Sequence, residues 1–340
     1  MFNNKNILVT GGTGSFGKNF VKFFLKKYKP KKLVVFSRDE LKQSIMKQEL
    51  IGKIYRPVKY FIGDVRDVKR LTLALSEIDY VIHAAAMKQV PAAEYNPYEC
   101  IKTNILGAQN IIDASIYNKV KKVICLSTDK AVNPVNLYGA SKLAADKLFI
   151  SANNLMGKQD TSFSLVRYGN VLGSRGSVIE IYKKLIENKV STLPITDIKM
   201  TRFFLTISQG IDFVIEAFKT MRGAEIFVPK LPSIKILDLA KTMSQNPKIK
   251  IIGLRPGEKM HETLCPVDES RQTYEYKNFY IIFPSIIFNK LSLNNLHKYK
   301  YNGKKGKKVK VGFEYSSDKN KKFLNKEEIK NLLTKINVSI

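Results

Sequence analysis

A glycine-rich turn near the start of the chain constrains the fold more than any other feature. Residues 5–17 read KNILVTGGTGSFG, so an apolar run leads into Gly11, Gly14 and Gly17, and an amphipathic run over 18–28 follows. Glycines at this spacing permit a tight turn between strand and helix and let the backbone approach a pyrophosphate at the helix N-terminus. A simple glycine-rich turn is the alternative, but the position between a strand and a helix favours dinucleotide binding.

Further apolar runs repeat this alternation of strand and helix. They are separated by helical patterns and lie at 32–36, 58–62, 80–82, 123–126 and 163–166. Strands that alternate with helices are typical of a doubly wound parallel sheet. We therefore predict an α/β fold, with a Rossmann-type doubly wound parallel sheet and a smaller C-terminal substrate-binding domain. The expected boundaries are 1–170 plus about 203–230 for the first domain, and 171–202 plus 231–340 for the second.

The 340 residues carry a formal net charge of +29, and this charge has two interpretations. It could mark binding to nucleic acid or to a membrane surface. It could instead reflect lysines spread over the whole chain, with one denser run at 298–310. We favour the second interpretation, because no interleaving of basic and aromatic residues resembles an RNA-binding motif. The expected partners therefore include no nucleic acid.

The cysteines and histidines indicate neither disulfides nor a metal centre. Cys100, Cys125 and Cys265 form no CxxC pair, which suits a reducing cytosol. The three histidines have no metal-ligand spacing, so we expect no metal. No signal peptide is visible and no apolar run is long enough to span a bilayer. We therefore expect a cytoplasmic protein without membrane attachment.

The carboxyl ends of the predicted strands carry side chains suited to a nicotinamide dinucleotide. The second strand ends on Ser37 and Arg38, where a hydroxyl and a guanidinium suit the 2′-phosphate of NADP. Asp39 follows at once and keeps NAD open as the alternative. Asp64, after the third strand, is predicted to bind the adenine, and Asp67 to cap the next helix. Small residues after the fourth strand admit the nicotinamide ribose: Ala84, Ala85 and Ala86.

The fifth predicted strand and the helix after it bring reactive side chains to one edge of the sheet. The strand ends on Thr128, Asp129 and Lys130, and Tyr138 and Lys142 then follow one helical turn apart on one helix face. Ligands of open α/β sheets bind at this edge. Each residue also has a plainer interpretation, since the tyrosine and lysine could form a surface pair and the aspartate could belong to a loop or cap. Their combination indicates catalysis.

Loops in the second part of the chain carry three arginines that suit a diphosphate. Arg175, Arg202 and Arg255 each lie beside a glycine, a proline or a strand end, although loop arginines are often merely solvated. We interpret them as a clamp for the diphosphate of a substrate. Lys88, after the fourth strand, is expected to reach a substrate or cofactor oxygen, and a solvated loop lysine is the alternative.

These motifs together resemble the extended short-chain dehydrogenase/reductase superfamily, in which Tyr138-x-x-x-Lys142 follows a glycine-rich first turn. The narrower resemblance is to the soluble UDP-N-acetylglucosamine 4,6-dehydratases, and the motifs that carry it extend over most of residues 5–260. They are TGGTGSFG, SRDELK, GDVRD, STDKA, NLYGASK, RYGNVLGSRGS, PITD and LRPGEK. Asp129-Lys130 is similar to the acid–base pair of these dehydratases, which the sugar 4-epimerases of the superfamily lack. The inverting type, which begins pseudaminic acid synthesis, is the best match.

The resemblance implies a role for each group at the end of the fifth strand. Tyr138 takes the proton of the C4 hydroxyl, Lys142 lowers the pKa of that phenol and holds the ribose, and Thr128 binds the C4 oxygen. Lys130, if neutral, removes the C5 proton, and Asp129, if protonated, donates to the departing C6 hydroxyl. NADP takes a hydride from C4 and returns it to C6, so it is a bound catalyst.

The resemblance also implies which residues hold the two ligands. The expected cofactor residues are Gly11, Thr13, Gly14, Ser15, Phe16, Gly17, Ser37, Arg38, Asp39, Lys42, Asp64, Val65, Ala84, Ala85, Ala86, Tyr138 and Lys142. The expected substrate residues are Lys88, Asn170, Val171, Arg175, Thr196, Arg202, Arg255 and Glu258. The implied assembly is a homo-oligomer, a hexamer built from dimers.

Two other functions stay open at this point. A retaining dehydratase needs the same base and acid, so residue types do not separate it from an inverting one. A non-catalytic member of the fold that senses nucleotides or binds nucleic acid is the alternative of another class. The complete set of catalytic groups argues against it.

Overall fold

A ten-stranded sheet dominates the computed structural model, which describes residues 1–155, 160–173, 176–244, 247–286, 300–301 and 303–336. The strands, numbered in chain order, are β1 (Asn6–Thr10), β2 (Lys32–Ser37), β3 (Val58–Ile62), β4 (Tyr80–His83), β5 (Lys122–Thr128), β6 (Ser162–Tyr168), β7 (Asn170–Val171), β8 (Thr192–Ile195), β9 (Thr201–Leu205), β10 (Ile226–Pro229), β11 (Ser233–Lys235), β12 (Lys248–Ile251), β13 (Thr263–Cys265), β14 (Thr273–Glu275), β15 (Phe279–Ile282), β16 (Lys300–Tyr301), β17 (Lys304–Lys305), β18 (Lys307–Lys308) and β19 (Tyr315–Ser316).

The parallel part of the large sheet has the strand order β3-β2-β1-β4-β5-β6-β10. This order is that of a doubly wound dinucleotide-binding sheet, in which the winding direction reverses beside β1 and opens a crevice there. Beyond β10, the antiparallel strands β15, β14 and β18 extend the sheet. The predicted Rossmann-type α/β fold is confirmed.

Helices cover the sheet because their apolar residues recur at helical spacing. In the first helix, for example, Phe20, Val21 and Phe24 are buried while lysines occupy the outer positions. The helices are α1 (Ser15–Lys27), α2 (Glu40–Glu49), α3 (Val68–Ala74), α4 (Val90–Tyr95), α5 (Pro97–Ile101), α6 (Gly107–Tyr117), α7 (Leu137–Ser151), α8 (Val178–Glu187), α9 (Ile207–Thr220), α10 (Ile236–Met243) and α11 (Lys326–Thr334). The predicted cap of α3 is confirmed, since the Asp67 carboxylate accepts from the amide of Arg70.

A second apolar cluster forms a smaller lobe. Its buried members include Leu172, Tyr182, Leu193, Leu239 and Leu333, so it joins β8, α8, α10 and α11. This lobe draws on the two segments that the sequence assigns to the substrate-binding domain. The domain boundaries themselves stay a prediction.

One stretch within those segments pairs with the large sheet instead. Residues 273–275 and 279–282 form β14 and β15, and β15 lies antiparallel to β10. We therefore propose that 273–282 belong with the nucleotide-binding sheet and not with the smaller domain. The sequence prediction placed them in 231–340 because no local pattern indicates which strand an added antiparallel strand will pair with.

No helix within the described ranges is long and apolar enough to cross a membrane. The longest of them, α7, spans fifteen residues and carries Lys142, Asp146 and Lys147. A bilayer-spanning helix needs about 20 predominantly apolar residues.

The imidazole of His83, at the end of β4, makes folding stability depend on pH. Its Nδ1 lies 2.8 Å from the hydroxyl of Thr10, which also accepts from the amides of Ala84 and Ala85, and burial lowers its pKa from 6.5 to about 3. Because the unfolded chain binds this proton and the folded one does not, stability falls as pH drops from 6.5 towards 3, by about 1.4 kcal/mol per pH unit. We expect His83→Gln to flatten this slope in urea unfolding between these pH values; an unchanged slope contradicts the assignment.

Candidate active site

A cavity of about 790 Å³ lies at the carboxyl ends of the parallel strands. Its wall is formed by the turn after β1 and by the ends of β2 to β6, together with the start of α7. Every predicted catalytic residue lines it: Thr128, Asp129, Lys130, Tyr138 and Lys142. Every predicted cofactor residue lines it as well, with the exception of Gly17. The strand order thus brings together side chains that are far apart along the chain.

The turn after β1 has the shape of a pyrophosphate cradle. Gly11 adopts a φ of +62°, and an added Cβ there would lie 3.0 Å from the backbone of Ala84 and Ala85. At Gly17 an added Cβ would lie 2.5 Å from the Cα of Gly12, so this glycine packs α1 against the turn and does not face the cavity. In the described part of the chain, no side chain caps the N-terminus of α1, which leaves its amides available to an anion.

The end of β2 presents two cations and one carboxylate. The Asp39 carboxylate caps α2 by accepting from the amide of Lys42 at 2.9 Å, and it also forms an ion pair with the ammonium of Lys42. Arg38 is mostly exposed, and its guanidinium lies 3.8 Å from the Asp64 carboxylate. Arg38 and Asp39 both line the cavity. Since the Asp39 carboxylate already caps the helix and pairs with a lysine, it is less available to a ribose hydroxyl.

Asp64 lines the cavity but is held by Arg66, a residue that the sequence prediction did not name. The guanidinium of Arg66 donates to Asp64 Oδ2 at 2.6 and 2.8 Å, and it also lies 2.5 Å from Glu99. Burial raises the pKa of the Asp64 carboxyl, but the hydrogen bonds and charge of Arg66 lower it overall. Asp64 is therefore an anionic acceptor, consistent with a role towards the adenine amino group.

The reactive groups at the end of β5 form a short chain of contacts. The hydroxyl of Thr128 donates to Asp129 Oδ1 at 2.9 Å, and the Nζ atom of Lys130 lies 3.0 Å from the same oxygen. Asp129 is buried, with 1% of its surface exposed. Behind this turn, an added Cβ at Gly139 would lie 2.2 Å from the Lys130 carbonyl oxygen. Only glycine admits this approach, which holds the start of α7 against the turn that carries Lys130.

Tyr138 and Lys142 both lie on the cavity side of α7. Burial raises the pKa of the Tyr138 phenol, and the charges of Lys142 and Lys130 lower it only in part, so the net shift is upward. The expectation from sequence was that Lys142 lowers this pKa; the direction of its effect is as predicted, but burial outweighs it here. Lys142 itself is buried, and its Nζ lies 3.8 Å from the thiol of Cys125.

The protonation of Lys130 differs from the neutral amine that the family resemblance implies. Burial disfavours its charge, but the carboxylates of Asp129 and Glu262 outweigh burial and raise its pKa above the ordinary value. The sequence prediction considered only burial and nearby cations, because Glu262 lies far along the chain. Lys130 therefore rests as an ammonium and has to lose a proton before it can act as a base.

A buried ion network supports the floor of the site, and sequence reasoning missed it. Ser127, which lines the cavity, donates to Asp146 at 2.6 Å, and Arg167 lies 3.8 Å from the same carboxylate. Arg167 also pairs with Glu269 at 2.7 Å and donates to the carbonyl of Leu264. The only local signal was Asp146, one turn beyond Lys142 on the same helix face.

Asn104 has a structural role beside the site, through hydrogen bonds to distant parts of the chain. It sits in a single turn of π-helix, Lys102–Leu106, at the junction of α5 and α6. Its side chain accepts from the amide of Met87 at 2.8 Å and donates to the carbonyl of Met87 and to Ser141 at 2.9 Å. It thereby ties the loop after β4 to the catalytic helix α7.

The predicted substrate residues fall into two groups. Lys88, Asn170 and Val171 line the cavity, whereas Thr196, Arg202, Arg255 and Glu258 do not, and Arg175 lies outside the described residues. The guanidinium of Arg202 is buried and donates to three backbone carbonyls, those of Thr201, Met260 and Lys259. Arg202 lies in β9 and not in the predicted loop, and it supports the loop at 258–262. Its role towards a diphosphate stays a prediction.

Arg255 is the exposed member of this second group. Its guanidinium donates to both carboxylate oxygens of Glu258, at 3.0 and 2.7 Å, and Thr196 donates to Glu258 at 3.2 Å. Arg255 keeps about two thirds of its side chain exposed, so it can still meet an anionic ligand. Glu262, a neighbour of this loop that the sequence analysis did not single out, is the residue that touches Lys130.

Comparison with known proteins places this site in a family. Residues 7–284 match the family described as polysaccharide biosynthesis protein. The chain is also 56% identical, over 97% of both lengths, to a UDP-N-acetylglucosamine 4,6-dehydratase (inverting) of Campylobacter jejuni subsp. jejuni. The chain belongs to this polysaccharide biosynthesis family. It is 42% identical to a UDP-glucose 4-epimerase of Rickettsia bellii, over 98% of this chain and 96% of that protein. The predicted family and the prediction of an enzyme are confirmed.

Two solved structures share all or part of this architecture. The X-ray structure of Pen from Bacillus thuringiensis is 40% identical, covers 100% of both chains and superposes with a TM-score of 0.88. A dTDP-glucose 4,6-dehydratase of Streptomyces venezuelae, DesIV, solved with NAD and TYD bound, covers 75% of this chain and 86% of its own at a TM-score of 0.66. At 19% identity, this second likeness shows the fold alone.

Proposed function

We propose that this chain catalyses the NADP-dependent 4,6-dehydration of UDP-N-acetylglucosamine with inversion at C5. The observation that carries the proposal is the presence of Thr128, Asp129, Lys130, Tyr138 and Lys142 on one cavity. The 56% identity to a C. jejuni inverting dehydratase of that substrate supports the choice of sugar and stereochemistry. The product is UDP-2-acetamido-2,6-dideoxy-β-L-arabino-hex-4-ulose, and we propose that it enters pseudaminic acid synthesis for glycosylation of flagellin or another surface structure.

The cradle after β1 fits a dinucleotide, because bare backbone and uncapped amides meet at Gly11 and the start of α1. Ala84, Ala85 and Ala86 would border the nicotinamide ribose, and Lys142 would bind its hydroxyls. The dinucleotide, when bound, would supply a hydride acceptor for C4 and a hydride donor for C6 within one turnover.

The first proton transfer belongs to Tyr138. Its phenol takes the proton of the C4 hydroxyl, and the Thr128 hydroxyl binds the C4 oxygen. Because burial holds the pKa of this phenol above its ordinary value, the rate of C4 oxidation should rise with pH in the alkaline range. Lys142, with its ammonium behind the phenol, favours the phenolate.

The second proton transfer belongs to Lys130 and Asp129. The C4 ketone acidifies the C5 proton, which the neutral amine of Lys130 removes. Asp129, in its acid form, donates a proton to the C6 hydroxyl as water departs. The 3.0 Å contact between Lys130 Nζ and Asp129 Oδ1 allows a proton to move directly between the two groups, so that an ammonium and carboxylate become an amine and acid. Reprotonation of C5 from the opposite face inverts that centre.

Arg38 is proposed to select NADP through the 2′-phosphate. We expect Arg38→Ala to weaken NADP binding about 10-fold or more while NAD binding changes little, because only the former carries the extra anion. Isothermal titration of both dinucleotides against wild type and variant measures the difference. Arg56→Ala, another arginine of the first half of the chain and outside the cavity lining, is the matched control. Equal losses for both dinucleotides would contradict the role given to Arg38.

The function is tested by incubating the purified protein with UDP-N-acetylglucosamine in D₂O and following the sugar by proton NMR. A 6-deoxy-4-keto product with deuterium at C5 and the arabino coupling pattern supports the proposal. The xylo pattern identifies a retaining dehydratase, and a 4-epimer without loss of water identifies an epimerase, as named in the Rickettsia relatives. No reaction even with added NADP, together with salt-dependent retention of nucleic acid, would support the non-catalytic alternative.

We also propose that the enzyme acts in the cytoplasm as a homo-oligomer, a hexamer built from dimers, without membrane or nucleic-acid partners. The family resemblance of the motifs supports this assembly. Sedimentation equilibrium of the full chain tests it, and a monomer at working concentration would contradict it.

A further inference from the structure

The ammonium of Lys130 is held between two carboxylates. Its Nζ atom lies 3.0 Å from Asp129 Oδ1 and 3.2 Å from Glu262 Oε1. Glu262 is 2% exposed and does not line the cavity, whereas Lys130 does. Among the described residues, Glu262 contacts the cavity lining through the amine of Lys130.

The backbone of Glu262 is fixed by hydrogen bonds, and two further cations border its carboxylate. The amide of Glu262 donates to the hydroxyl of Ser317 at 2.9 Å, and the amide of Ser317 donates to the carbonyl of Glu262 at 2.8 Å. The Nε atom of Arg202 and the Nζ atom of Lys259 each lie 3.8 Å from the carboxylate. The position of Glu262 beside Lys130 is thus set by its backbone contacts and by burial among cations.

Two carboxylates define the direction of the resting tetrahedral ammonium. Lys130 is a flexible side chain on a short turn of 3₁₀-helix, and with Asp129 as its sole acceptor it could swing about that one contact. The second acceptor removes that freedom. Within the described ranges, the remaining direction of Nζ has no side-chain acceptor, and Lys130 borders the cavity where the sugar is proposed to lie.

We propose that Glu262 is a positioning residue for the second proton transfer, which aims the amine of Lys130 at C5 of the substrate. This inference rests on the function proposed above. When Lys130 acts, the C5–H bond breaks, a new N–H bond forms, and the electron pair of C5 moves into the C4–C5 enolate. Glu262 stays beside the nitrogen, at 3.2 Å, and stabilises the ammonium that forms, and its own atoms do not change bonding.

The test compares hydride transfer from C4 with proton exchange at C5 in the same set of variants. Glu262→Ala removes the acceptor, and Glu262→Gln keeps an acceptor oxygen without the charge. We expect Glu262→Ala to lower deuterium exchange at C5 about 10²-fold, while the absorbance change that reports hydride transfer from C4 stays within about 3-fold of wild type. Glu262→Gln should recover most of the lost exchange, because it restores the direction of the amine.

A buried glutamate remote from the cavity controls for general damage. Glu225 is 1% exposed and is bound by Ser164 at 2.6 Å, so Glu225→Gln removes a buried charge without contact to Lys130. We expect this control to change thermal stability without changing the ratio of exchange to hydride transfer. In a Lys130→Ala background, Glu262→Ala should have no further effect on exchange, because its action passes through that amine.

The outcomes are distinct. Exchange at or above the wild-type rate in Glu262→Ala overturns the proposal, and so does an equal loss of hydride transfer and exchange, which indicates a merely structural role. Additive losses in the Lys130→Ala background overturn it as well. If wild type forms no 4-keto product at all, it is the proposed function that fails, and the ratio of the two steps cannot be compared.

Discussion

Lys130→Ala should abolish net dehydration while leaving NADP bound. The variant lacks the base for C5, and no other amine in the described structure contacts both Asp129 and Glu262. We expect the rate of product formation to fall by about 10³-fold or more, within the range of a lost general base. Hydride transfer from C4 should persist, since Tyr138 and Lys142 are untouched, and the absorbance of the nicotinamide would then reveal a first step that does not proceed further.

The control for this variant is Lys147→Ala. Lys147 is an exposed lysine on α7, so its loss changes the net charge by the same amount without altering the site. Lys130→Ala also leaves Asp129 and Glu262 as buried carboxylates without their common cation, so a lower melting temperature is expected as well. Normal product formation, or loss of NADP binding by titration, would contradict the role of Lys130.

Tyr138→Phe should stop the reaction one step earlier. Without the phenol the C4 hydroxyl has no base, so hydride transfer and the exchange at C5 that depends on the ketone should fall together, by about 10²- to 10⁴-fold. The ring itself stays, and Tyr138 packs with Ala93 and Cys100, so we expect folding to be preserved. The contrast with Lys130→Ala, which keeps hydride transfer, assigns the two bases to the two steps.

The pH dependence of hydride transfer gives a second test of the role of Tyr138. The wild-type rate of hydride transfer should rise with pH towards the raised pKa of the phenol, and Tyr138→Phe should lose that rise. Tyr117→Phe is the control, because Tyr117 is 76% exposed on α6. A variant that retains both hydride transfer and its pH dependence would show that another group removes the C4 proton.

The network beneath the site suggests why these bases keep their geometry. Asp146 lies on the same helix as both Tyr138 and Lys142 and binds Ser127 at the end of β5, while Arg167 ties Asp146 to Glu269. Burial raises the pKa of Asp146, and the charge of Arg167 offsets this in part. Buried polar groups therefore join β5, α7 and the segment after β13, and their pairing keeps these elements together.

Short sequence distances account for what the sequence by itself determined. Three motifs each span only a few residues, so strand and helix periodicity determine where their side chains lie. They are the glycine turn, the strand-end residues Thr128, Asp129 and Lys130, and the pair Tyr138 and Lys142. Parallel strands that end at one edge then bring these groups together, so the fold class and the cavity wall could be predicted. Arg38 and Asp64 followed from the same rule.

Contacts between distant parts of the chain were decided only by the tertiary structure. No local pattern predicts the pairing of Glu262 with Lys130 or of Glu269 with Arg167. Each pairing depends on how the smaller lobe and its loops pack on the sheet. The same packing buries Arg202 against three backbone carbonyls, although the sequence analysis placed it in a loop, as it did the exposed Arg255. The charge of Lys130 depends on this packing, because burial lowers its pKa while the carboxylates of Asp129 and Glu262 raise it.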